Sequence, residues 1–295
     1  MSKIAGRHTL WCVVVLALWA FPVVAALPAS PRRFVDNLDE RCYQILPPQP
    51  PLNLPLKLAF LDPVLVKLGL QAASVTLAEP QTLCVPVEKE KQAPPKDTLP
   101  FVSFLDWKCY GVKGPSLGAK LKLTQLNPII AKLFGPSVAV DVGAPQQLCV
   151  PVVKNKKAPP ADVLHLVQFL DVECYAVHST QNIAGKAITL THLNSLFTGR
   201  PPEKQTFQVP GPTQLCVPVA KDGQTPPADV LPFIQYSDVL CYPLGGINLD
   251  ALLELTQLDP VMLKHKVAAE KVSVGISRTL CVPVAKNGDL PPGTP

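Results

Sequence analysis

Apolar and polar residues alternate with period two in several short runs. Leu121-Lys122-Leu123-Thr124-Gln125-Leu126 and Val138-Ala139-Val140-Asp141-Val142 are clear cases, and this alternation marks a strand with one buried face. Val102 to Val112 reads as another strand, passing through Cys109. Leu148-Cys149-Val150-Pro151-Val152 reads as a fourth, with Pro151 expected on an unpaired edge because it has no N–H to donate. Between strands stands Asn127-Pro128, followed by Ile129-Ile130-Ala131-Lys132-Leu133. Asn suits a helix cap and Pro the first helical position, so one or two helical turns are predicted. Asp62-Pro63 and Asp259-Pro260 repeat the signal, while Asn194-Ser195 carries a weaker version. Lys154-Asn155-Lys156-Lys157, Lys221-Asp222-Gly223 and Lys286-Asn287-Gly288 are solvated turns, the last two with the Asp-Gly and Asn-Gly pairs of tight hairpins. The pattern is mainly β with short helices.

The elements recur because the sequence recurs. Cys42, Cys109, Cys174 and Cys241 are each followed by Tyr (Tyr43, Tyr110, Tyr175, Tyr242) and preceded three residues earlier by Asp (Asp39, Asp106, Asp171, Asp238). Cys84, Cys149, Cys216 and Cys281 each sit in Leu-Cys-Val-Pro-Val, and a Pro-Pro pair begins ten residues later. Such internal similarity reorganises the whole reading. Cutting after each Pro-Pro gives four tandem units of about 65 residues, 31–95, 96–160, 161–227 and 228–295. Beads, a stacked solenoid and a closed ring are all compatible with four units. The constant spacing of 25 residues across each boundary favours units packed against neighbours, since a loose linker tolerates length changes.

Each unit holds two cysteines, and two pairings are open. Pairing within units joins Cys42–Cys84, Cys109–Cys149, Cys174–Cys216 and Cys241–Cys281. Pairing across boundaries joins Cys84–Cys109, Cys149–Cys174 and Cys216–Cys241, and strands Cys42 and Cys281 unless they close a ring. Pairing within units leaves none stranded and is preferred, although sequence alone does not fix connectivity. Zinc would want close Cys-x-x-Cys pairs, which the chain lacks. A 65-residue unit buries little core, and closing a loop of about 40 residues stabilises by about 4 kcal/mol in the chain-entropy model.

The N-terminus supplies the compartment. Lys3 and Arg7 precede an apolar run from Leu10 to Val24, and Val23-Val24-Ala25 offers a cleavage site. Residues 1–25 therefore read as a secretory signal peptide, which places the mature chain in the secreted, periplasmic or cell-envelope space and makes cystines the expected state of its thiols. The apolar run is short for a spanning helix, so no stable membrane span is expected after cleavage. Without Lys3 and Arg7 there remain 25 basic and 22 acidic residues, a net charge of +3. These charges are scattered, which excludes a phosphate-reading surface and makes nucleic acid an unsuitable partner.

These combined motifs resemble a family of exported bacterial Cys-rich tandem-repeat proteins of unknown function. The resemblance rests on Asp171, Cys174 and Tyr175, on Leu123, Leu126, Asn127 and Pro128, on Leu280 to Val284 with Lys286-Asn287-Gly288, and on Pro226-Pro227-Ala228-Asp229. It covers nearly all of the mature chain and implies no particular activity, cofactor or partner.

Catalytic motifs are absent from the sequence. His165, His178, His192 and His265 occupy non-equivalent places and form no metal spacing, and no nucleophile elbow, zinc-helix or phosphate-loop pattern occurs. The expected function is non-enzymatic, structural or adhesive, without cofactor or metal and with an envelope or extracellular partner. One alternative is a binding module for glycan or calcium with one site per unit, built from the four Asp and four Tyr. Calcium takes six to eight oxygens, more than one Asp per unit supplies, so the plainer expectation is that Asp bonds nearby backbone and Tyr packs in the core. A hydrolase with a scattered site is the other alternative. Trp107 has no counterpart in the other units and offers a candidate surface in the second.

Overall fold

The computed structural model describes residues 27–197, 199–207 and 211–295. The signal-peptide reading of residues 1–25 lies outside them. Unit one supplies α1 (Pro31–Val35), β1 (Glu40–Leu46), β2 (Leu54–Phe60), α2 (Pro63–Lys67), β3 (Ser74–Leu77) and β4 (Pro80–Lys89). Unit two supplies α3 (Leu99–Val102), β5 (Trp107–Gly111), β6 (Ala119–Gln125), α4 (Pro128–Phe134) and β7 (Ser137–Lys154). Unit three supplies α5 (Ala161–Val167), β8 (Val172–His178), β9 (Ala187–His192), β10 (Glu203–Thr206) and β11 (Gln214–Lys221). Unit four supplies α6 (Leu231–Ile234), β12 (Val239–Pro243), β13 (Asn248–Gln257), α7 (Pro260–Lys264) and β14 (Glu270–Lys286).

The Cys-bearing strands close into an eight-stranded antiparallel barrel in the order β1-β4-β5-β7-β8-β11-β12-β14 and back to β1. Each unit gives two adjacent staves, and the first unit meets the last through β1 and β14. Closure leaves these staves no free edge. Of the three arrangements open to the sequence, the units form the ring.

The remaining strands do not stay with their own units. β2 of unit one pairs with β11 of unit three, and β9 of unit three pairs with β4 of unit one. In the same reciprocal way β6 of unit two pairs with β14, and β13 of unit four with β7. Each hairpin is therefore hydrogen-bonded to the unit two places away. The tight turns seal this exchange. Asn287 takes Lys122 N–H on its side chain at 3.0 Å and donates its own N–H to Lys122 at 2.7 Å. Asp222 does the same with Lys57, Asn155 with Glu254 and Glu90 with Thr189.

The Leu-Cys-Val-Pro-Val proline sits at the seam of this exchange. β7 leaves β8 at Cys149 and takes up β13 at Val152, with Pro151 between. Its carbonyl accepts Leu258 N–H at 3.0 Å. Pro86, Pro218 and Pro283 accept from Leu193, Leu61 and Leu126 in the same manner. Pro151 is thus not on a free edge; it stands where a strand changes partner, a place that also needs no N–H.

Two expectations about local structure are corrected. Val102 to Val112 is not one strand: Leu99–Val102 forms α3, and only Trp107–Gly111 is strand. The equivalent Val163, Leu166, Val167 and Leu170 are all buried at helical spacing, which is the periodicity that identifies the helix. The other correction concerns the third and fourth strands of unit two, which run together as one 18-residue β7. The helix signals at Asp62, Asn127 and Asp259 do cap helices, their side chains accepting N–H groups of the first turn. Asn194 accepts from Leu196 N–H, but no helix follows among the described residues.

Candidate functional site

Side chains alternate across a strand, so cysteine and tyrosine face opposite sides of the barrel wall. The cysteines point inward and pack with the helices α1, α3, α5 and α6, in one core that includes Phe34, Leu105, Val167 and Phe233. The tyrosines point outward beneath the exchanged hairpins. The four cystines are Cys42–Cys84, Cys109–Cys149, Cys174–Cys216 and Cys241–Cys281. Each joins two residues directly opposite in register on the two staves of one unit. Four cystines belong in an oxidising compartment. No helix among the described residues is long and apolar enough to cross a membrane.

The four aspartates sit where the barrel wall meets the helical end, and each is buried: Asp39, Asp106, Asp171 and Asp238 are 2–4% exposed. Each pairs with the lysine that follows Leu-Cys-Val-Pro-Val in its own unit, giving Asp39–Lys89, Asp106–Lys154, Asp171–Lys221 and Asp238–Lys286. In three of the four units the residue at the helix-signal position of another unit's hairpin supplies a further partner. Asp259 lies 3.0 Å from Lys221, Asp62 lies 2.8 Å from Lys286, and Asn194 donates to Asp106 at 3.4 Å. Burial holds the Asp106 carboxyl above its usual range, against the opposing pull of Lys154. Burial and then the neighbouring Asp259 carboxylate hold Asp171 well above its usual range.

The tyrosines are equally internal, at 0–2% exposed. Tyr110 accepts from Gln257, Tyr242 accepts from Gln125, and Tyr43 meets His192 Nε2 at 3.1 Å. In each case the partner comes from the opposite unit. Phe60 occupies that place opposite Tyr175, offers no polar atom, and Tyr175 donates instead to Glu173. The reading of Asp39, Tyr43, Asp106, Tyr110, Asp171, Tyr175, Asp238 and Tyr242 as four exposed ligand sites is therefore corrected. A lysine already pairs with each carboxylate, and the exchanged hairpins cover each ring. Trp107 is no surface either: it is 1% exposed inside the barrel, with Nε1–H donating to the Leu170 carbonyl at 2.7 Å.

What remains open is the end of the barrel opposite the helices. A cup of about 370 Å³ enters there, with the eight cystine-bonded cysteines as its floor. Its wall carries Gln44, Gln81, Gln146, Gln147 and Gln214, with Thr82, Thr213 and Thr279, and among the described residues Arg278 is its one charged side chain. Amides link across unit boundaries: Gln147 donates to Gln81 at 2.7 Å and Gln214 to Gln146 at 2.7 Å. Arg278 donates to Gln44 where the first and last units meet. Comparison with protein-family models, with curated proteins and with solved structures gives no match.

The signal for this site was present in sequence as the polar pair before each Leu-Cys, namely Gln81-Thr82, Gln146-Gln147, Thr213-Gln214 and Arg278-Thr279. Only ring closure brings these pairs together. The histidines stay dispersed: His165 pairs with Asp229 at 2.8 Å, His265 with Asp222 at 3.3 Å, and buried His192 is pushed down to about 3 by burial and nearby cations.

Proposed function

We propose that this chain is an exported, non-enzymatic protein of the envelope or extracellular space that acts as a rigid structural or adhesive element. The supporting observation is where its repeated residues lie. Cysteine, aspartate, lysine and tyrosine recur in every unit, and all are internal to the barrel or to the exchanged hairpins. Residues used in this way hold a scaffold together. Fractionation of the expressing cells, with peptide mapping of the recovered chain under non-reducing conditions, tests the reading. The expected result is a mature N-terminus at Ala26, recovery outside the cytoplasm and four intact cystines. Recovery in the cytoplasm with free thiols, or turnover of a substrate by the purified chain, refutes it.

The cup favours a second reading, a binding module with one site per molecule in place of one per unit. Its amide and hydroxyl wall suits a neutral, hydroxyl-rich ligand such as a glycan. Calorimetric titration with neutral oligosaccharides reads the stoichiometry, and one site per chain is the expected result. Four sites per chain would return the binding function to the individual units.

A further inference from the structure

The floor of the cup is a closed ring of eight sulfur atoms, and every sulfur has two sulfur neighbours. One is its bonded partner within the unit. The other belongs to the next unit and lies close by without a bond: Cys84 to Cys109, Cys149 to Cys174 and Cys216 to Cys241 at 3.8 Å, and Cys42 to Cys281 at 3.9 Å. Bonded pairs are directly opposite in register, whereas the unbonded pairs are diagonal, as Cys42 faces Thr279 and Glu40 faces Cys281. Diagonal neighbours on one face of a sheet remain within side-chain reach. The cup leads from solvent to this ring.

The geometry points to a thiol-exchange site for small thiols, in which a thiolate entering the cup starts a relay that passes disulfide bonds around the ring. Disulfides exchange by thiolate attack on a sulfur, with the displaced sulfur leaving as thiolate. A thiolate RS⁻ attacks Cys84; the R–S–S–Cys84 bond forms, the Cys42–Cys84 bond breaks, and its electron pair leaves on Cys42. Cys42 attacks its unbonded neighbour Cys281 and frees Cys241. Cys241 attacks Cys216 and frees Cys174, and Cys174 attacks Cys149 and frees Cys109. Cys109 then attacks Cys84 and expels RS⁻. Each exchange forms one S–S bond and breaks one, so nothing is oxidised or reduced overall and the thiol is returned. The ring passes from pairing within units to pairing across boundaries.

The relay carries a parity that unfolding does not. Each bond shift moves the free thiolate by two places around the ring. In Cys42→Ser the free thiol begins on Cys84 and reaches only Cys149, Cys216 and Cys281. In Cys84→Ser it begins on Cys42 and reaches only Cys241, Cys174 and Cys109. The experiment incubates each folded variant at pH 8 with a slow alkylating reagent and maps the label by non-reducing proteolysis. Label on the four cysteines of one parity, and on the complementary four in the other variant, is the expected result. Label confined to the starting cysteine overturns the relay, and so does label on all seven, which reports scrambling through unfolded chains. If neither variant folds, the parent is incubated with sub-stoichiometric 2-mercaptoethanol without denaturant. Appearance of Cys84–Cys109, Cys149–Cys174, Cys216–Cys241 and Cys42–Cys281 supports the proposal. Their absence, with or without a mixed disulfide, overturns it.

Discussion

Lys154→Met tests whether the buried ion pairs hold the barrel to its exchanged hairpins. Lys154 and Asp106 are 2% and 3% exposed. Methionine keeps much of the lysine stem and removes the cation. Asp106 is then left with Asn194 at 3.4 Å, which cannot balance a buried charge. Removing one partner of a buried pair costs about 3–5 kcal/mol. The carboxyl can escape by taking up a proton, and that route sets the ceiling. Protonating a carboxyl of ordinary pKa near 3.9 costs about 4 kcal/mol at pH 7 and about 1.5 kcal/mol at pH 5. The loss relative to the parent therefore shrinks as the pH falls, by up to about 1.4 kcal/mol per unit. Urea unfolding with cystines intact, at pH 7 and pH 5, reads both quantities. Asp106→Asn combined with Lys154→Met removes both charges and recovers at least about 2 kcal/mol of the loss at pH 7, since the coupling of contacting charges is not additive. An equal loss at both pH values, or a double variant no more stable than Lys154→Met, refutes the reasoning.

Glu173 is buried beside Tyr175, and burial pushes its carboxyl up to about 7. Its folded pKa exceeds the unfolded one, so the native state binds more protons between about 4.5 and 7 and stability falls as the pH rises through that window; Glu173→Gln should gain about 2–3 kcal/mol more at pH 8 than at pH 5, measured by chemical unfolding. Asp259→Asn installs in unit four the Asn cap that Asn127 provides in unit two and removes one of two carboxylates facing Lys221. Because Asp171 is raised by burial and by Asp259, the parent should lose stability as the pH rises above the ordinary carboxylate range, and unfolding curves of the variant across that range should be flatter. Lys91 and Lys156 take φ of +60° and +57° where Gly223 and Gly288 stand in the other turns. Relieving that left-handed strain makes Lys156→Gly more stable by about 0.5–1 kcal/mol in thermal melts, after glycine's entropic cost.

Local features were legible in the sequence, and distant pairings were not. Period-two runs gave β6, and the Asp-Pro and Asn-Pro signals gave α2, α4 and α7, because those choices are made within a few residues. Repetition of Cys, Tyr and Asp gave the four stapled units and the cystines within them. The helices before each Asp were missed since their apolar spacing runs directly into a strand, and a short segment yields to whichever period dominates its window. The role of Asp39, Asp106, Asp171 and Asp238 was hidden for another reason. Each one's partner lies about 50 residues away, at Lys89, Lys154, Lys221 and Lys286, and the two meet only when the first and last strands of a unit pair side by side. The cup was invisible by the same logic, being assembled from residues of all four units.

The reciprocal hairpin pairing fixes copy number. A solenoid can gain or lose a module because each contacts only its neighbours. Here unit one is matched with unit three and unit two with unit four. Every unit supplies one hairpin and one acceptor strand, so three or five copies would leave one unit without an opposite to exchange with. Gene duplication could therefore have built this architecture only in a jump to the full set, or through a shorter ancestor that assembled from separate chains.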